Sequence, residues 1–344
     1  MSKLVAIDGS RGRKWGDVEV TLLACECLGT RAFSFLVETP GVALLVDPSA
    51  ALGPTRGFPV PHPSEFAAIR GANARLLAAR RHFARLEKTL CAFVSHYHQD
   101  HFKPVKRDCL YNFTSPEFAK ELVRGTRLFA KDPDARTNSS QAKRGKAFRA
   151  AVRGVVEEFA ACDGRRERFG DTRLKFSPPL PHGEEDGRQG HVVALCVEAG
   201  DERVAFAPDV QGPVVQATTD WLIAQQPIVA FLGGPPAHLR RFPLGDAARE
   251  VERLAAVVPE LVVGHHVARS NAGLAWVAST SRKLRQRGGV RFGLVAEAFG
   301  FTPRLLERDR AANYAANPPN EAFRHWAALR NKERTPPPVD LERF

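Results

Sequence analysis

The sequence predicts an α/β fold in which two β-sheets pack face to face and helices cover their outer faces, a four-layer αβ/βα sandwich. Three observations support this prediction. Predicted strands occur in two runs along the 344 residues, and helices follow each run. The chain is long enough for one large α/β domain with a sizeable core. It also contains no internal repeat, which argues against a repeat architecture.

The first run of predicted strands lies within the first 130 residues. Apolar or alternating segments predict these strands, and the turn dipeptide Pro40-Gly41 predicts a hairpin between the second and the third. A long helix begins near Ser64, which can cap it, and a short helix begins at Ser115. The predicted strands are 18–24, 32–38, 42–46, 91–94 and 128–130, and the predicted helices are 64–90 and 115–124.

The second run of strands follows a basic helix and is again covered by helices. Its predicted strands are 172–176, 192–197, 203–207, 228–232 and 261–263, with helices at 139–159 and 246–258. From residue 271 onward the chain is expected to be mostly helical, with breaks. We therefore expect a single domain, residues 18–330. It lies between a loose N-terminal extension, residues 1–17, and a C-terminal tail, residues 331–344.

The composition is ordinary for a globular protein, with 44% hydrophobic and 26% charged residues. No apolar run reaches the length of a membrane span, and residues 1–17 lack the apolar segment of a secretory signal. The six cysteines are scattered, which favours buried thiols and a reduced, cytoplasmic setting. The net charge of +12 favours an anionic partner, either a small-molecule substrate or, less strongly, nucleic acid.

A cluster of metal-ligand residue types follows the short apolar strand 91–94. His96, His98, Asp100 and His101 form the pattern H-x-H-x-D-H within six residues. Histidine and aspartate together suit borderline divalent metals such as zinc, manganese or iron. Because the four side chains lie on both sides of one loop, the pattern suits two adjacent metal ions better than one. A solvated polar loop is the alternative interpretation.

Further candidate ligands stand at the ends of later strands. His182 lies in a loop before a strand, and Asp209 follows an apolar strand, where a carboxylate can bridge two metal ions. His265 and His266 follow another strand. If that segment is extended, the two side chains point to opposite sides, so we expect one ligand, with His265 preferred to His266. With the loop residues, these candidates complete a set of five histidines and two aspartates.

Asp47 also ends a strand, but the ligand set is complete without it. We expect its carboxylate to accept a hydrogen bond from the metal loop or from a ligand imidazole, and so to orient the site. The alternative is a local turn that begins at Asp47-Pro48.

Three basic residues are candidates for substrate binding. Lys103 lies near the metal loop, and Lys131 and Arg144 flank a polar loop that opens a helix whose N-terminus favours anions. The alternative is a capped, solvent-exposed helix. If these residues bind substrate, a phosphorylated or carboxylated small molecule is the expected class.

The ordered motifs resemble the metallo-beta-lactamase superfamily: an aspartate after an early strand, then H-x-H-x-D-H, then histidine, aspartate and histidine at later strand ends. Six segments resemble one uncharacterised prokaryotic family of predicted hydrolases within it. They are Glu26-Cys27-Leu28-Gly29-Thr30-Arg31, Asp47-Pro48 with Ala51-Leu52-Gly53-Pro54, Ser95-His96-Tyr97-His98, Asp209-Val210-Gln211-Gly212-Pro213, Gly233-Gly234-Pro235-Pro236 and His265-His266. The resemblance covers nearly all of residues 18–330. Two positions depart from the family pattern, Gly264 where it has aspartate and Pro208 where it has serine.

The resemblance implies a metallo-beta-lactamase type of sandwich and a binuclear metal-dependent hydrolase that uses a metal-bound hydroxide. It assigns His96, His98 and His182 to one metal. It assigns Asp100, His101 and one of His265 and His266 to the other, with Asp209 as the bridge. Asp100 would also orient the hydroxide or move its proton. It implies two divalent ions per chain, with zinc preferred, but neither a substrate nor an oligomeric state. A nuclease of the same fold and a non-enzymatic metal-binding protein are the alternatives.

Overall fold

The computed structural model describes residues 7, 9–55, 57–83, 85–185, 187–330 and 333–339. Two seven-stranded sheets face each other, and helices pack on their outer faces. The α/β sandwich with four layers that the sequence predicts is therefore confirmed.

The first sheet has the strand order β1-β2-β3-β4-β5-β6-β7. Its first four strands are antiparallel neighbours, and the strands from β4 to β7 run parallel. The strands are β1 (Arg11–Trp15), β2 (Val18–Cys25), β3 (Phe33–Glu38), β4 (Val42–Val46), β5 (Thr89–Val94), β6 (Arg127–Ala130) and β7 (Glu158–Ala161).

The second sheet has the order β16-β15-β14-β13-β12-β9-β8, and its strands from β13 to β16 are parallel. These strands are β8 (Arg166–Phe169), β9 (Thr172–Phe176), β12 (Leu195–Ala199), β13 (Glu202–Ala207), β14 (Val229–Gly233), β15 (Glu260–Gly264) and β16 (Arg291–Leu294). A separate antiparallel pair, β10 (Leu180–Pro181) and β11 (His191–Val192), lies between β9 and β12 in the chain.

Helices of the first half of the chain pack on the first sheet, and most of those of the second half pack on the second sheet, while the last helix packs against Phe66 of the first helix. The helices are α1 (Pro63–Phe83), α2 (Pro116–Val123), α3 (Ser139–Val152), α4 (Gln216–Gln225), α5 (Leu244–Ala255), α6 (Asn271–Gly288), α7 (Val295–Ala298), α8 (Arg310–Ala316) and α9 (Glu321–Ala328), with a 3₁₀ helix at His265–Arg269. Leu76 and Phe148 join the apolar cluster outside the first sheet, while Val251 and Trp276 pack against the second.

Aromatic side chains fill the space between the two sheets. Phe35 of β3 lies 5.4 Å from Phe206 and 5.0 Å from Phe231 between ring centroids, and those two rings stack at 5.0 Å. All three side chains are fully buried. Each contributes on the order of 1.5–3 kcal/mol of burial free energy, so this layer holds the two halves of the sandwich together.

The structure differs from the predicted elements mainly at sheet edges. The predicted extension 1–17 contains β1, whose RGRKW sequence is too polar to indicate a strand. The predicted helix 64–90 ends at Phe83, and the predicted helix 139–159 ends at Val152. The strands β7, β8 and β16 were not predicted. Edge strands with charged residues lack the apolar pattern on which such predictions depend.

The chain after α9 also packs on the domain within the described residues. Trp326 Nε1 donates to the carbonyl of Thr335 at 2.7 Å, and Val339 packs against the cluster that contains Phe323. The predicted tail 331–344 is therefore not a free extension at residues 333–339, and its remaining residues lie outside the described ones.

Candidate metal centre

The candidate ligands meet where parallel strands of both sheets end. Asp47 follows β4 and the H-x-H-x-D-H loop follows β5, while Asp209 and His265 follow β13 and β15. His182 follows β10. The carboxyl ends of parallel strands form one edge of a sheet, which is why residues far apart in sequence converge there.

The first group of ligand atoms surrounds one oxygen of Asp209. His96, His98, His182 and Asp209 each offer one donor atom, and these atoms lie within 4.8 Å of one another. Asp209 Oδ2 lies 2.7 Å from His182 Nε2, 3.4 Å from His96 Nε2 and 3.7 Å from His98 Nδ1. Three imidazole nitrogens and a carboxylate oxygen at such spacing form a donor set typical of a divalent metal.

The second group consists of Asp100, His101 and His265, whose donor atoms also lie within 4.8 Å of one another. His265 Nε2 lies 3.4 Å from His101 Nε2 and 3.6 Å from Asp100 Oδ2. It lies 3.6 Å from Asp209 Oδ1 as well. Asp209 Oδ1 therefore faces His265, whereas Oδ2 faces the first group and also lies 3.7 Å from His101 Nε2 of the second. This carboxylate lies between the two groups.

The paired histidines lie differently from the sequence-based prediction. Residues His265–Arg269 form a 3₁₀ helix rather than an extended segment, and the two rings lie on the same side at 4.4 Å. His266 Nε2 lies 2.6 Å from Asp209 Oδ1, so both imidazoles reach this carboxylate. Only His265 joins Asp100 and His101. The premise of opposite directions is wrong, because Gly264 leads into a tight turn.

Asp47 holds the metal loop and one ligand imidazole at once. Its Oδ1 accepts from the Ser95 backbone N–H at 2.7 Å, and its Oδ2 accepts from the Ser95 hydroxyl at 2.7 Å. His101 Nδ1 donates to the same Oδ2 at 2.7 Å. Asp47 is fully buried, so these bonds are shielded from water. With Nδ1 held, the Nε2 lone pair of His101 faces the second ligand group.

Replacing Asp47 with Ala should weaken metal binding by about 10–100-fold without abolishing it, as the loss of an orienting partner does. The reason is that His101 would lose the acceptor that fixes its ring. Zinc affinity can be measured by competition with a chelator, and Asp220→Ala on exposed α4 serves as the control. A variant that binds zinc like the parent would contradict the orienting role.

Three further residues lie against the outer nitrogens of ligand imidazoles and were not predicted to do so. The Gln211 amide lies 3.2 Å from His182 Nδ1, the Ser95 hydroxyl lies 3.0 Å from His96 Nδ1, and the Glu26 carboxylate lies 3.5 Å from His265 Nδ1. All three are buried. They occur in the motifs that carry the family resemblance, which was the available indication of a role.

The electrostatics of the cluster follow from burial and from neighbouring charges. Burial raises the pKa of Asp209, but His182 and the neighbouring histidines outweigh it and hold that pKa well below its usual range. Burial lowers the pKa of His101, but Asp47 outweighs it and raises that pKa to about 9. Burial, followed by His101, holds the pKa of His96 well below its usual range. The buried anionic oxygens make the cluster a favourable place for a cation.

The residues present fit a metal ion. His96 Nε2 is buried and has no hydrogen-bond partner among the described residues, although buried polar atoms usually have one. His98 Nδ1 and His182 Nε2 face each other at 3.1 Å, and His101 Nε2 faces His265 Nε2 at 3.4 Å. Lone pairs that converge in this way are explained by a shared cation.

The backbone is unusual at three of these positions. Asp47, Asp209 and His265 have φ angles of 42°, 52° and 62°, in the left-handed region that favours glycine. Asp47 and His265 follow directly after a strand, and Asp209 stands two residues after the end of one. Each places its side chain in the cluster. Left-handed residues other than glycine are uncommon and concentrate at functional sites.

Two of the three predicted substrate-binding residues have structural roles. Lys103 Nζ donates to the backbone carbonyls of Ala50 and Asn112, and the side chain is buried. Burial lowers the pKa of Lys103 to about 7. Lys131 is fully buried and its Nζ lies 2.6 Å from Asp163 Oδ2. Their charged groups are engaged in the interior, which favours a structural role for both and leaves their part in substrate binding a prediction.

Replacing Lys131 with Ala should lower the free energy of unfolding by about 1–3 kcal/mol, because Asp163 and two backbone carbonyls lose their donor. KM should stay unchanged. Denaturant unfolding measures the first quantity, and steady-state kinetics measure the second. Lys143→Ala is the matched control, because Lys143 is an exposed cation of α3. A raised KM with unchanged stability would restore Lys131 as a substrate contact.

Arg144 is placed differently from the two lysines. It is half-buried, and its Nε donates to the Ser140 carbonyl within α3 at 3.2 Å. Burial lowers the pKa of Arg144, and the Asp100 carboxylate offsets part of that lowering. The guanidinium therefore interacts electrostatically with Asp100.

In the part of the chain that the structure describes, no helix has both the length and the apolarity of a bilayer crossing.

No family model matches the chain. The UPF0282 protein of Methanocaldococcus jannaschii is 31% identical over 311 residues, which cover 89% of this chain and 100% of that protein. The UPF0282 protein of Pyrobaculum islandicum is 35% identical over 295 residues, which cover 85% of this chain and 93% of that protein. The metallo-beta-lactamase fold protein YhfI from Bacillus subtilis is 13% identical, with a TM-score of 0.42 over 80% of this chain and 95% of that chain. That structural similarity is too low to indicate an activity. The chain belongs to the UPF0282 family.

Proposed function

We propose that this protein is a metal-dependent hydrolase that holds two divalent ions per chain, with zinc preferred and manganese or iron as alternatives. The position of Asp209 is the observation that carries the proposal. One of its oxygens faces three histidines of the first group, and the other faces the paired histidines. A carboxylate between two such groups is the arrangement that joins a pair of metal ions.

His96, His98 and His182 would hold one ion, Asp100, His101 and His265 the other, and Asp209 both. Two bound divalent ions would supply Lewis acidity for the hydrolysis of an ester, lactone or phosphoester. Residues behind the ligands would help to aim ligand nitrogens at the ions. Asp47 is placed to do so for His101, and the Ser95 hydroxyl is placed to do so for His96. This preorganisation limits the rearrangement that metal binding requires.

The open side of the cluster lies at His98 and Asp100. Their side chains are 21% and 16% exposed, whereas those of His96, His182 and Asp209 are at most 2% exposed. Among the described residues of the cluster these two are the most exposed, so a substrate would approach from this side, and Asp100 would be the first carboxylate it meets. Asp100 would therefore hold the attacking water in position or accept its proton, in addition to binding a metal ion.

Arg144 supports an anionic substrate. Because Arg144 is only half-buried and interacts electrostatically with Asp100, it is the predicted basic residue best suited to bind a phosphate or carboxylate that enters from the open side. Replacing Arg144 with Ala should raise KM for an anionic substrate about tenfold and leave kcat within about twofold, as the loss of one charged contact of about 1.4 kcal/mol does. A neutral analogue is the control substrate. An equal effect on both substrates would contradict this role.

The test begins with elemental analysis of protein purified with zinc, manganese or iron. Metal-free and metal-loaded protein are then compared on panels of esters, lactones and phosphodiesters. The expected result is two ions per chain and hydrolysis of one substrate class that depends on metal. Protein that binds none of the three metals would contradict the proposal, and so would loaded protein that hydrolyses nothing. Cleavage of RNA or DNA that weakens as salt rises would identify a nuclease instead.

A further inference from the structure

A buried ion pair lies behind the second ligand group. Glu26 follows β2 and Arg269 ends the 3₁₀ helix, 243 positions apart in sequence. Arg269 Nε donates to Glu26 Oε1, and the two side chains are only 6% and 4% exposed. Removing two charges from water is costly, so a buried pair of this kind calls for a role beyond stability.

Three polar atoms around this pair remain without a hydrogen bond among the described residues: Glu26 Oε2, Arg269 Nη2 and His265 Nδ1. Each of them faces a complementary group at slightly more than hydrogen-bond distance. Glu26 Oε2 lies 3.5 Å from His265 Nδ1, and Arg269 Nη2 lies 3.9 Å from Asp100 Oδ2. His265 and Asp100 are two of the three residues in the second group.

A second arginine, Arg31, lies near the same oxygen of Glu26. Arg31 Nε lies 3.7 Å from Glu26 Oε1, and Arg31 binds Glu307 in a two-pronged pair at 2.7 and 2.6 Å. Glu26 and Arg31 are the first and last residues of one motif in the sequence. With Arg31 engaged by Glu307, Glu26 keeps one oxygen for Arg269 and directs the other to His265.

We propose that Glu26 and Arg269 are positioning residues for the second metal ion, an inference that rests on the proposed function. When Asp100 and His265 take up their ligand positions, Glu26 Oε2 accepts the Nδ1 proton of His265. Arg269 Nη2 then donates to Asp100. The first bond leaves the Nε2 lone pair of His265 free for the ion, and the second fixes the carboxylate. The pair thus serves the second group as Asp47 serves His101.

The variant Glu26→Gln tests directly which ring nitrogen of His265 carries the proton. If the amide oxygen stays with Arg269, the amide nitrogen faces His265 Nδ1 and can only donate to it. His265 would then carry its proton on Nε2, where the metal must bind. The second site should weaken by about 10–100-fold, the usual effect of losing an orienting partner, while the first site keeps its affinity.

Zinc affinities of both sites can be measured by chelator competition for the parent, Glu26→Gln and Arg269→Met. Nitrogen-detected NMR of the metal-free and loaded proteins reports which nitrogen of His265 carries the proton. We expect an Nδ1 proton in the parent and an Nε2 proton in Glu26→Gln. A purely structural role for the pair would not move this signature.

Gln211→Ala is the matched control, because the Gln211 amide lies 3.2 Å from His182 Nδ1 of the first group. It should spare the second site, whose affinity Glu26→Gln lowers. The double variant Glu26→Gln/Arg269→Met removes both buried charges, so that neither charge is left unpaired in the interior. Its unfolding in chelator should match that of the parent closely, while its second site stays weak.

The outcomes separate this inference from the proposed function. If the parent binds two ions and Glu26→Gln leaves both affinities unchanged, or lowers both equally, the positioning role is wrong and the metal centre stands. A parent protein that binds no metal contradicts the proposed function, and the positioning role with it. Selective loss at the second site, with the change of tautomer, supports both.

Discussion

Asp209→Ala should lose both metal ions and all measurable hydrolysis. The two oxygens of Asp209 face different ligand groups, so that no other residue replaces the link between them. The variant also removes the buried anion around which His182 and His266 pack at 2.7 and 2.6 Å. The effect should exceed the loss of about 10–100-fold that orienting partners cause.

Elemental analysis after dialysis against zinc measures the effect of Asp209→Ala, and circular dichroism checks the fold. Asp220→Ala is the matched control, since Asp220 is a carboxylate on exposed α4 that pairs with Arg253. The control should retain both ions and full activity. A variant of Asp209 that keeps one ion with normal affinity would show that this carboxylate belongs to one site only.

His265→Ala should remove one of two metal ions and reduce turnover to near background. His265 lies with Asp100 and His101, and a site that retains two ligands and the shared Asp209 should bind zinc weakly. His266→Ala should keep both ions, because His266 groups with Asp209 and His265 but not with Asp100 or His101. Its turnover should change instead, since Asp209 loses a donor at 2.6 Å.

Metal counted per chain in both variants distinguishes these roles, and steady-state kinetics give the second measurement. The two variants serve as controls for each other, because they remove the same chemical group from adjacent positions. If His266→Ala loses an ion and His265→Ala does not, His266 is the ligand. The 3₁₀ helix would then have to place it closer to Asp100 when metal is bound.

The layers of the fold and the members of the candidate site could be predicted because their pattern is local. The strands that position the site are apolar runs, and each of them ends in His or Asp. Parallel strands bring such ends to a common edge. This is why His182, Asp209 and His265 meet the H-x-H-x-D-H loop although they are far away in sequence.

What could not be predicted depends on partners from other segments. Lys103 and Lys131 belong to a residue type that often binds anions. In the folded protein, however, Lys103 donates to two buried backbone carbonyls and Lys131 pairs with Asp163. A single sequence does not show these partners. The direction of His266 depends on one backbone turn after Gly264, and local turns change which face a side chain occupies. Polar edge strands such as β1 lack a distinguishing pattern.

The left-handed backbone of Asp47, Asp209 and His265 has a consequence for the stability of the whole molecule. Each such residue disfavours the folded state by about 1–3 kcal/mol, whereas glycine would adopt the same angles freely. A chain optimised only for folding would carry glycine at all three positions. At these positions the chain therefore has a lower free energy of unfolding than glycine would give, but it has the side chains that form the cluster. At these three positions the chain keeps an aspartate or a histidine in place of the glycine that the backbone favours.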